Sequence, residues 1–177
     1  MTVRIRLAEP EDAAGVLRML DGIVQWLAAQ GRTEQWGTDA WTARPELVDR
    51  VEGRIARREM RLAEDEDGVG ELLGVVSLAE KSKDYVSPPP EPELYVDLLA
   101  TSRAAKGRNV GGLLLTESRA EARRRGLRLL RLDCYAGGDR KLNAWYVSQG
   151  FSEVEPFVIK REGKADWPGM LLAQYLN

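Results

Sequence analysis

Histidine is absent from the 177-residue chain, and cysteine occurs once, at Cys134. Without histidine there is no Ser-His-Asp or Cys-His relay, no imidazole general base and no histidine-ligated metal. A single thiol closes no internal disulfide and builds no multi-thiolate zinc site. Acid–base chemistry is left to carboxylate, tyrosine, lysine, thiol, backbone and bound water. Long apolar runs are missing too. The longest, Leu72 to Ala79, is broken by Gly74 and Ser77 and falls well short of the about 20 residues of a membrane span. Charge of one sign is not in excess: the formal net charge is −2, which is no signature of a polyanion-binding protein. Arginine outnumbers lysine 20 to 6, a bias we ascribe to genome composition. Residues 1–6 alternate like a strand and carry no signal-peptide apolar stretch, so a cytoplasmic protein without membrane contact is expected.

What is present fits one domain over residues 1–177, long enough to bury a core without a disulfide or metal. Val3, Ile5 and Leu7 alternate with Arg4 and Arg6 as a half-buried strand. Glu9 to Asp12 open a helix in which Val16, Leu20, Ile23, Val24 and Leu27 recur at helical spacing, with Gly31 as the stop. Residues 32–44 read as a connection containing Trp36 and Trp41, and Pro45 starts a second helix running to about Arg58. Met60 to Ala63 and Glu71 to Ala79 flank the acidic turn Glu64 to Gly68, a hairpin pattern. Residues 80–92, with Pro88, Pro89 and Pro90, read as a stiff exposed loop. Strands are expected at Leu94–Thr101, Leu127–Tyr135, Ser152–Ile159 and Met170–Leu176, and helices at Val110–Arg125, closed by Gly126, and Asp139–Ser148. The order β-α-α-β-β-β-α-β-α-β-β implies an α/β (α+β) fold with a mixed sheet and helices on both faces.

The most informative stretch runs from Leu99 to Leu115, where a strand leads through Gly107, Gly111 and Gly112 straight into a helix. Small side chains, inward amides and the helix dipole make such a loop an anion site. Three readings compete. The first is a tight turn that uses glycine for its geometry alone. The second is a dinucleotide fingerprint, encouraged by Asp133 about 20 residues on, but Gly107-x-x-x-Gly111-Gly112 is not GxGxxG and no Walker pattern is present. The third is an acyl-CoA loop.

The third reading comes from a resemblance to the GNAT superfamily of N-acetyltransferases. Its loop pattern is [Gln/Arg]-x-x-Gly-x-[Gly/Ala] after a strand of the type Leu-x-Val. Leu99-Ala100-Thr101 resembles the strand end, and Lys106-Gly107-Arg108-Asn109-Val110-Gly111 resembles the loop. Lys106 keeps a donor and a positive charge at the first position. Asn109 stands for the central glycine, and asparagine tolerates positive φ better than most residues. Tyr146-Val-Ser-Gln-Gly150-Phe151 resembles the family's Tyr-x-x-x-Gly-Phe, with Asp139 where the helix opens.

The resemblance implies a mostly antiparallel sheet of about seven strands that splays between the fourth and fifth, with the pantetheine arm of acetyl-CoA in the wedge. It implies backbone bonds from Leu99, Ala100 and Thr101 to that arm, with the Leu99 N–H polarising the acetyl carbonyl. The pyrophosphate would rest on the amides of Arg108 to Gly112, with Lys106, Gly107, Asp139 and Tyr146 completing the cofactor site. Tyr146 is the candidate acid for the thiolate, against a packing role. Glu93 and Asp97 are candidate bases, against a base-free mechanism. Trp36, Trp41 and Tyr85 are candidate acceptor contacts, the tryptophans equally readable as core caps.

The expected activity is acetyl transfer from acetyl-CoA to a small-molecule or peptide primary amine, by direct attack and without a metal. The alternative is a non-catalytic acyl-CoA-binding or regulatory module. Homodimers are frequent in the family and leave the oligomeric state open. Arg119, Arg123, Arg124, Arg125, Arg128 and Arg131 form a basic run offset only by Glu121. Its placement at a helix C-terminus and on a strand, with no interleaved aromatics, speaks against nucleic acid. Cys134 reads as a core residue, not a nucleophile.

Overall fold

The computed structural model describes residues 2–67 and 70–177. Gly68, the last residue of the expected acidic turn, lies outside them. Seven strands form one mixed sheet in the order β1-β2-β3-β4-β5-β7-β6. They are β1 (Val3–Leu7), β2 (Met60–Asp65), β3 (Leu72–Ala79), β4 (Glu93–Thr101), β5 (Leu129–Tyr135), β6 (Ser152–Ile159) and β7 (Trp167–Tyr175). The helices are α1 (Ala13–Ala29), α2 (Thr33–Trp36), α3 (Pro45–Ala56), α4 (Val110–Arg124) and α5 (Lys141–Ser148). β1–β2, β2–β3, β5–β7 and β6–β7 pair antiparallel, and β4–β5 pairs parallel. That parallel ladder ends at Val96↔Leu132, although β4 runs on to Thr101 and β5 to Tyr135.

The chain divides into two compact units, Met1–Ser77 with Leu98–Glu117, and Leu78–Asp97 with Ser118–Asn177. In the first unit, the apolar stripe of α1 (Val16, Leu17, Leu20) packs with Val51 and Ile55 of α3 onto Met60, Leu62 and Val75. The connection expected at residues 32–44 contains the short helix α2 and a 3-10 turn at Trp41–Ala43. The Thr42 hydroxyl donates to Asp21 (2.6 Å), which ties that turn to α1. Trp36 and Trp41 stack at 5.7 Å and pack against this core.

At the entry to α1, Arg6 donates to both Asp12 oxygens (2.8 and 2.9 Å) and to Glu64 (2.5 Å), while Asp12 accepts the Glu9 amide at 2.7 Å. The Arg6 guanidinium holds the Asp12 carboxyl below its usual value. A lowered folded value contributes stability that is complete above the unfolded carboxylate's pKa of about 3.9 and lost as the pH falls through the folded value. Asp12→Asn is expected to lower stability by about 1.5–3 kcal/mol at pH 7. Its deficit should shrink as the pH falls below the unfolded carboxylate's value and close as it passes the lowered folded one, as judged by denaturant unfolding at several pH values.

In the second unit, β5 carries Leu129, Leu130 and Leu132, and β7 carries Leu171 and Leu172, into the interior. Here α5 packs on β5. Among the described residues no helix is long and apolar enough to cross a membrane, and no group of three His, Cys, Asp or Glu side chains is placed to hold a metal.

Candidate functional site

The first unit carries the glycine loop. β4 ends with the Ser102 amide donating to Leu73 O (2.8 Å), and Ser102 Oγ accepts the Ala104 amide (3.2 Å) to start a 3-10 turn at Arg103–Ala105. Gly107 sits at φ +82° and Asn109 at φ +54°. Asparagine thus occupies the left-handed backbone region that the loop requires. The Arg108 amide already donates to Ala105 O (3.1 Å), and Leu113 makes the first helical bond, to Asn109 O (3.0 Å). The amides between them, Asn109 to Gly112, are the N-terminal donors that no helical turn can satisfy. Of the five amides from Arg108 to Gly112, the first is thus already bonded within the loop.

Arg108 turns its guanidinium to Asp65 of β2 (3.0 Å). Lys106 is exposed. Gly74 of β3 explains how the loop sits so close to the sheet. A side chain there would stand 3.0 Å from Ala100 O, Val110 and Leu114, so its absence lets β4 and the first turn of α4 approach. Leu99, Ala100 and Thr101 thus belong with the loop in one unit, as do Trp36 and Trp41.

Tyr146, Glu93, Asp97, Asp139 and Tyr85 belong to the second unit. The Tyr146-to-Phe151 motif is a helix terminus. The Phe151 amide donates to Tyr146 O (3.2 Å) and the Gly150 amide to Val147 O (3.0 Å), the paired bonds of a Schellman stop, with Gly150 at φ +98°. The two flanking rings meet edge-to-face at 6.0 Å, and Trp145 packs on Tyr146 at 4.9 Å. Glycine supplies the turn, and the aromatic pair supplies the apolar contact that such a stop favours. Tyr146 is buried, and burial raises its hydroxyl above the ordinary tyrosine value, with Cys134 and Asp133 adding to the shift. Burial likewise pushes the Cys134 thiol up to about 12, so it stays a neutral core group.

The two candidate bases differ sharply. Glu93 is buried and paired with Arg131, whose Nε and Nη2 (3.0 Å) both donate to it. Asp97 forms an ion pair with Lys83. Asp139 is exposed and accepts the Lys141 amide (3.1 Å), one residue before the left-handed Arg140 that caps α5. Two polar residues beside these were not anticipated as part of the site. Asn143 is buried, and with its amide assigned to suit its neighbours it donates to Tyr135 O (3.1 Å) and accepts from Arg140 Nη2 (3.2 Å). Asp133, which the sequence offered only as a ribose ligand of the dinucleotide reading, accepts from the Tyr95 hydroxyl and from Tyr85 at 3.4 Å. The signal for it was the alternation of Arg131, Asp133 and Tyr135 along β5, which puts three polar side chains on one face.

The basic run is offset more fully than Glu121 alone allows. Arg131 is buried against Glu93, Arg128 reaches Glu91 (3.2 Å), Arg125 reaches Glu80 (3.1 Å) as well as Glu121, and Arg124 pairs with Glu121. Arg119 donates to Gln149 O (2.6 Å) at the end of α5 and to Gln174 Oε1 (2.8 Å). Glu80, Glu91 and Glu93, distant in sequence and adjacent in space, thus pair with three of the six arginines.

The chain resembles solved structures across nearly its whole length. A GNAT-family acetyltransferase of Listeria monocytogenes shares 22% identity, with 98% of this chain and 95% of that one covered and a TM-score of 0.72. An N-acetyltransferase of Staphylococcus aureus shares 16%, with complete coverage of both chains and a TM-score of 0.71. The Salmonella typhimurium protein yncA, whose structure holds its cofactor acetyl-CoA, shares 17%, with 100% and 95% covered and a TM-score of 0.69. At such identities these likenesses establish the fold. No curated protein matches the sequence significantly. The model of the acetyltransferase (GNAT) family matches residues 20–151, a span that holds both the glycine loop and the Tyr146–Phe151 stop, and the chain belongs to the GNAT family of acetyltransferases.

Proposed function

We propose that residues 1–177 act as one domain that transfers an acetyl group from acetyl-CoA to a primary amine by direct attack in a ternary complex. The observation that carries the reading is the loop at Gly107–Gly112. Among the described residues the four amides from Asn109 to Gly112, at the start of α4, make no backbone hydrogen bond, which suits a pyrophosphate and requires no metal. In this reading Leu99, Ala100 and Thr101 offer backbone groups to the pantetheine amides, Lys106 adds positive charge near the phosphates, and Tyr146 serves the departing sulfur. A thioester supplies an already activated acyl group, so the chain's own work is to orient the amine, accept its proton and stabilise the thiolate. Glu93 is a structural group in this scheme, because its carboxylate already has a buried arginine as its partner. Trp36 and Trp41 cap the core of the first unit. A cytoplasmic setting accompanies the proposal.

Calorimetric titration is expected to show acetyl-CoA binding with NAD failing to compete. No binding of acetyl-CoA at up to millimolar concentration sinks the reading. Binding without thiol release in the presence of any amine favours the non-catalytic acyl-CoA module.

A further inference from the structure

The sheet of the second unit sorts its side chains by face. Glu93, Tyr95 and Asp97 alternate along β4 with Leu94 and Val96, and Arg131, Asp133 and Tyr135 alternate along β5 with Leu130, Leu132 and Cys134. The polar face continues across the register Tyr135↔Gly169↔Phe157. A side chain at Gly169 would collide with the Phe157 ring, so the glycine leaves that ring its place on the sheet. Tyr85, from the loop at 80–92, lies 5.3 Å from Phe157, which lies 6.2 Å from Trp167, itself 5.5 Å from Tyr135. All four rings keep part of their surface open, Tyr85 most at 43%.

Asp133 stands at one end of this row, held by the Tyr85 and Tyr95 hydroxyls. It lies on β5 just past the last rung of the parallel ladder. The neighbouring Asp97 is neutralised by Lys83, whereas no cation forms an ion pair with Asp133 among the described residues. A half-buried carboxylate beside open ring faces is the chemistry that binds an ammonium group carried on a flat apolar body.

Building on the acetyl-transfer reading, we infer that Asp133 is the catalytic base, and that the Tyr85–Phe157–Trp167–Tyr135 row receives the body of the acceptor, a cationic arylalkyl primary amine. The ammonium gives one proton to the Asp133 carboxylate. The freed amine nitrogen bonds to the thioester carbon, and the carbon–sulfur bond breaks. The second nitrogen proton goes to the sulfur, giving amide and free thiol, and Asp133 returns its proton to water. The groups that face Asp133 are Tyr95, Tyr85, Lys83 and Asp97. Burial is the largest influence on its carboxyl and raises it, while the two phenols and Lys83 pull it down.

The test is thiol release from acetyl-CoA with phenethylamine as acceptor and glutamate as the anionic comparison. Phenethylamine should be the much better acceptor. Asp133→Asn should cut its turnover by about 10²-fold or more, while acetyl-CoA affinity stays nearly unchanged. Tyr85→Phe removes a hydrogen bond that favours the ionised carboxylate, so the acid limb of kcat/KM should move to higher pH. Should Asp133→Asn fail to fold, Tyr85→Phe and Phe157→Leu carry the test, the latter raising KM for phenethylamine with little change in kcat. A preference for glutamate, or acetyl-CoA binding with no turnover of phenethylamine, overturns the inference and leaves acetyl transfer standing. An unchanged rate in a folded Asp133→Asn protein also overturns it. Absence of acetyl-CoA binding overturns the underlying reading itself.

Discussion

Replacing Arg131 by methionine is expected to destabilise the protein by about 3–5 kcal/mol, because it leaves the Glu93 carboxylate buried without a counter-charge. The two side chains are 4% and 1% exposed, so solvent cannot take over the lost bonds. Arg131 also donates to Ser87 O (2.9 Å), in the loop that carries the three prolines and Tyr85. For a chain of this size the loss corresponds to a fall in Tm of roughly 2–4 °C per kcal/mol. Thermal unfolding of Arg131→Met, Glu93→Leu and the double variant measures the effect. The double variant should recover most of the stability, since an apolar pair of similar volume removes both stranded charges. Acetyl transfer should nevertheless stay impaired in it, because the Ser87 carbonyl loses its anchor and Tyr85 is held less firmly. A loss below about 1 kcal/mol in Arg131→Met would show that the pair is solvated like a surface bridge.

Tyr146→Phe is expected to lower kcat by about 10²-fold while leaving acetyl-CoA affinity and Tm nearly unchanged. The ring keeps its edge-to-face contacts with Trp145 and Phe151. The hydroxyl has no hydrogen-bond partner among the described residues, so its removal strands nothing. Burial raises this hydroxyl above its ordinary value, which keeps it protonated through the working range and available as a donor to developing charge on sulfur. A thiol near pKa 8.5 is a stronger acid than such a phenol, so a completed transfer from Tyr146 alone runs uphill. In the proposed reaction its expected contribution is a hydrogen bond that strengthens as the carbon–sulfur bond lengthens. The alkaline limb of the kcat profile should therefore not disappear in Tyr146→Phe. Equal turnover in the two proteins would remove Tyr146 from the reaction.

These two expectations come from different levels of organisation. Tyr146 was legible in the sequence because its motif is local. A Schellman stop needs a glycine four residues after the aromatic and an apolar residue five after it, and Tyr146, Gly150 and Phe151 meet that requirement within one turn. The glycine loop was legible for the same reason, down to the tolerance of Asn109 for positive φ. Strand periodicity placed most of the sheet: β1, β3 and β6 lie within a residue of expectation, while β7 begins three residues early, at Trp167. Pro168 and Gly169 disguise that start, being poor strand formers that an edge pairing with β6 accommodates.

The partners of charged groups were not legible. Arg131 looked like part of a basic run and Glu93 like a base, and each was read without the other because 38 positions separate them. Asp133 was passed over for the same reason, since its two phenol donors come from β4 and from a loop that reads as proline-rich surface.

By itself the sequence determined the order of the main elements, the glycine loop, the aromatic helix stop and the exclusion of histidine chemistry. All of these rest on backbone conformation and side-chain type within a few residues. Tertiary structure alone decided which carboxylates are neutralised and which keeps only phenol partners. Strand pairing brings distant residues onto one face, and so joins Glu93 to Arg131 in one place and Asp133 to phenol donors in another. Without histidine, that allocation among Glu93, Asp97 and Asp133 is what motivates the proposed role of Asp133.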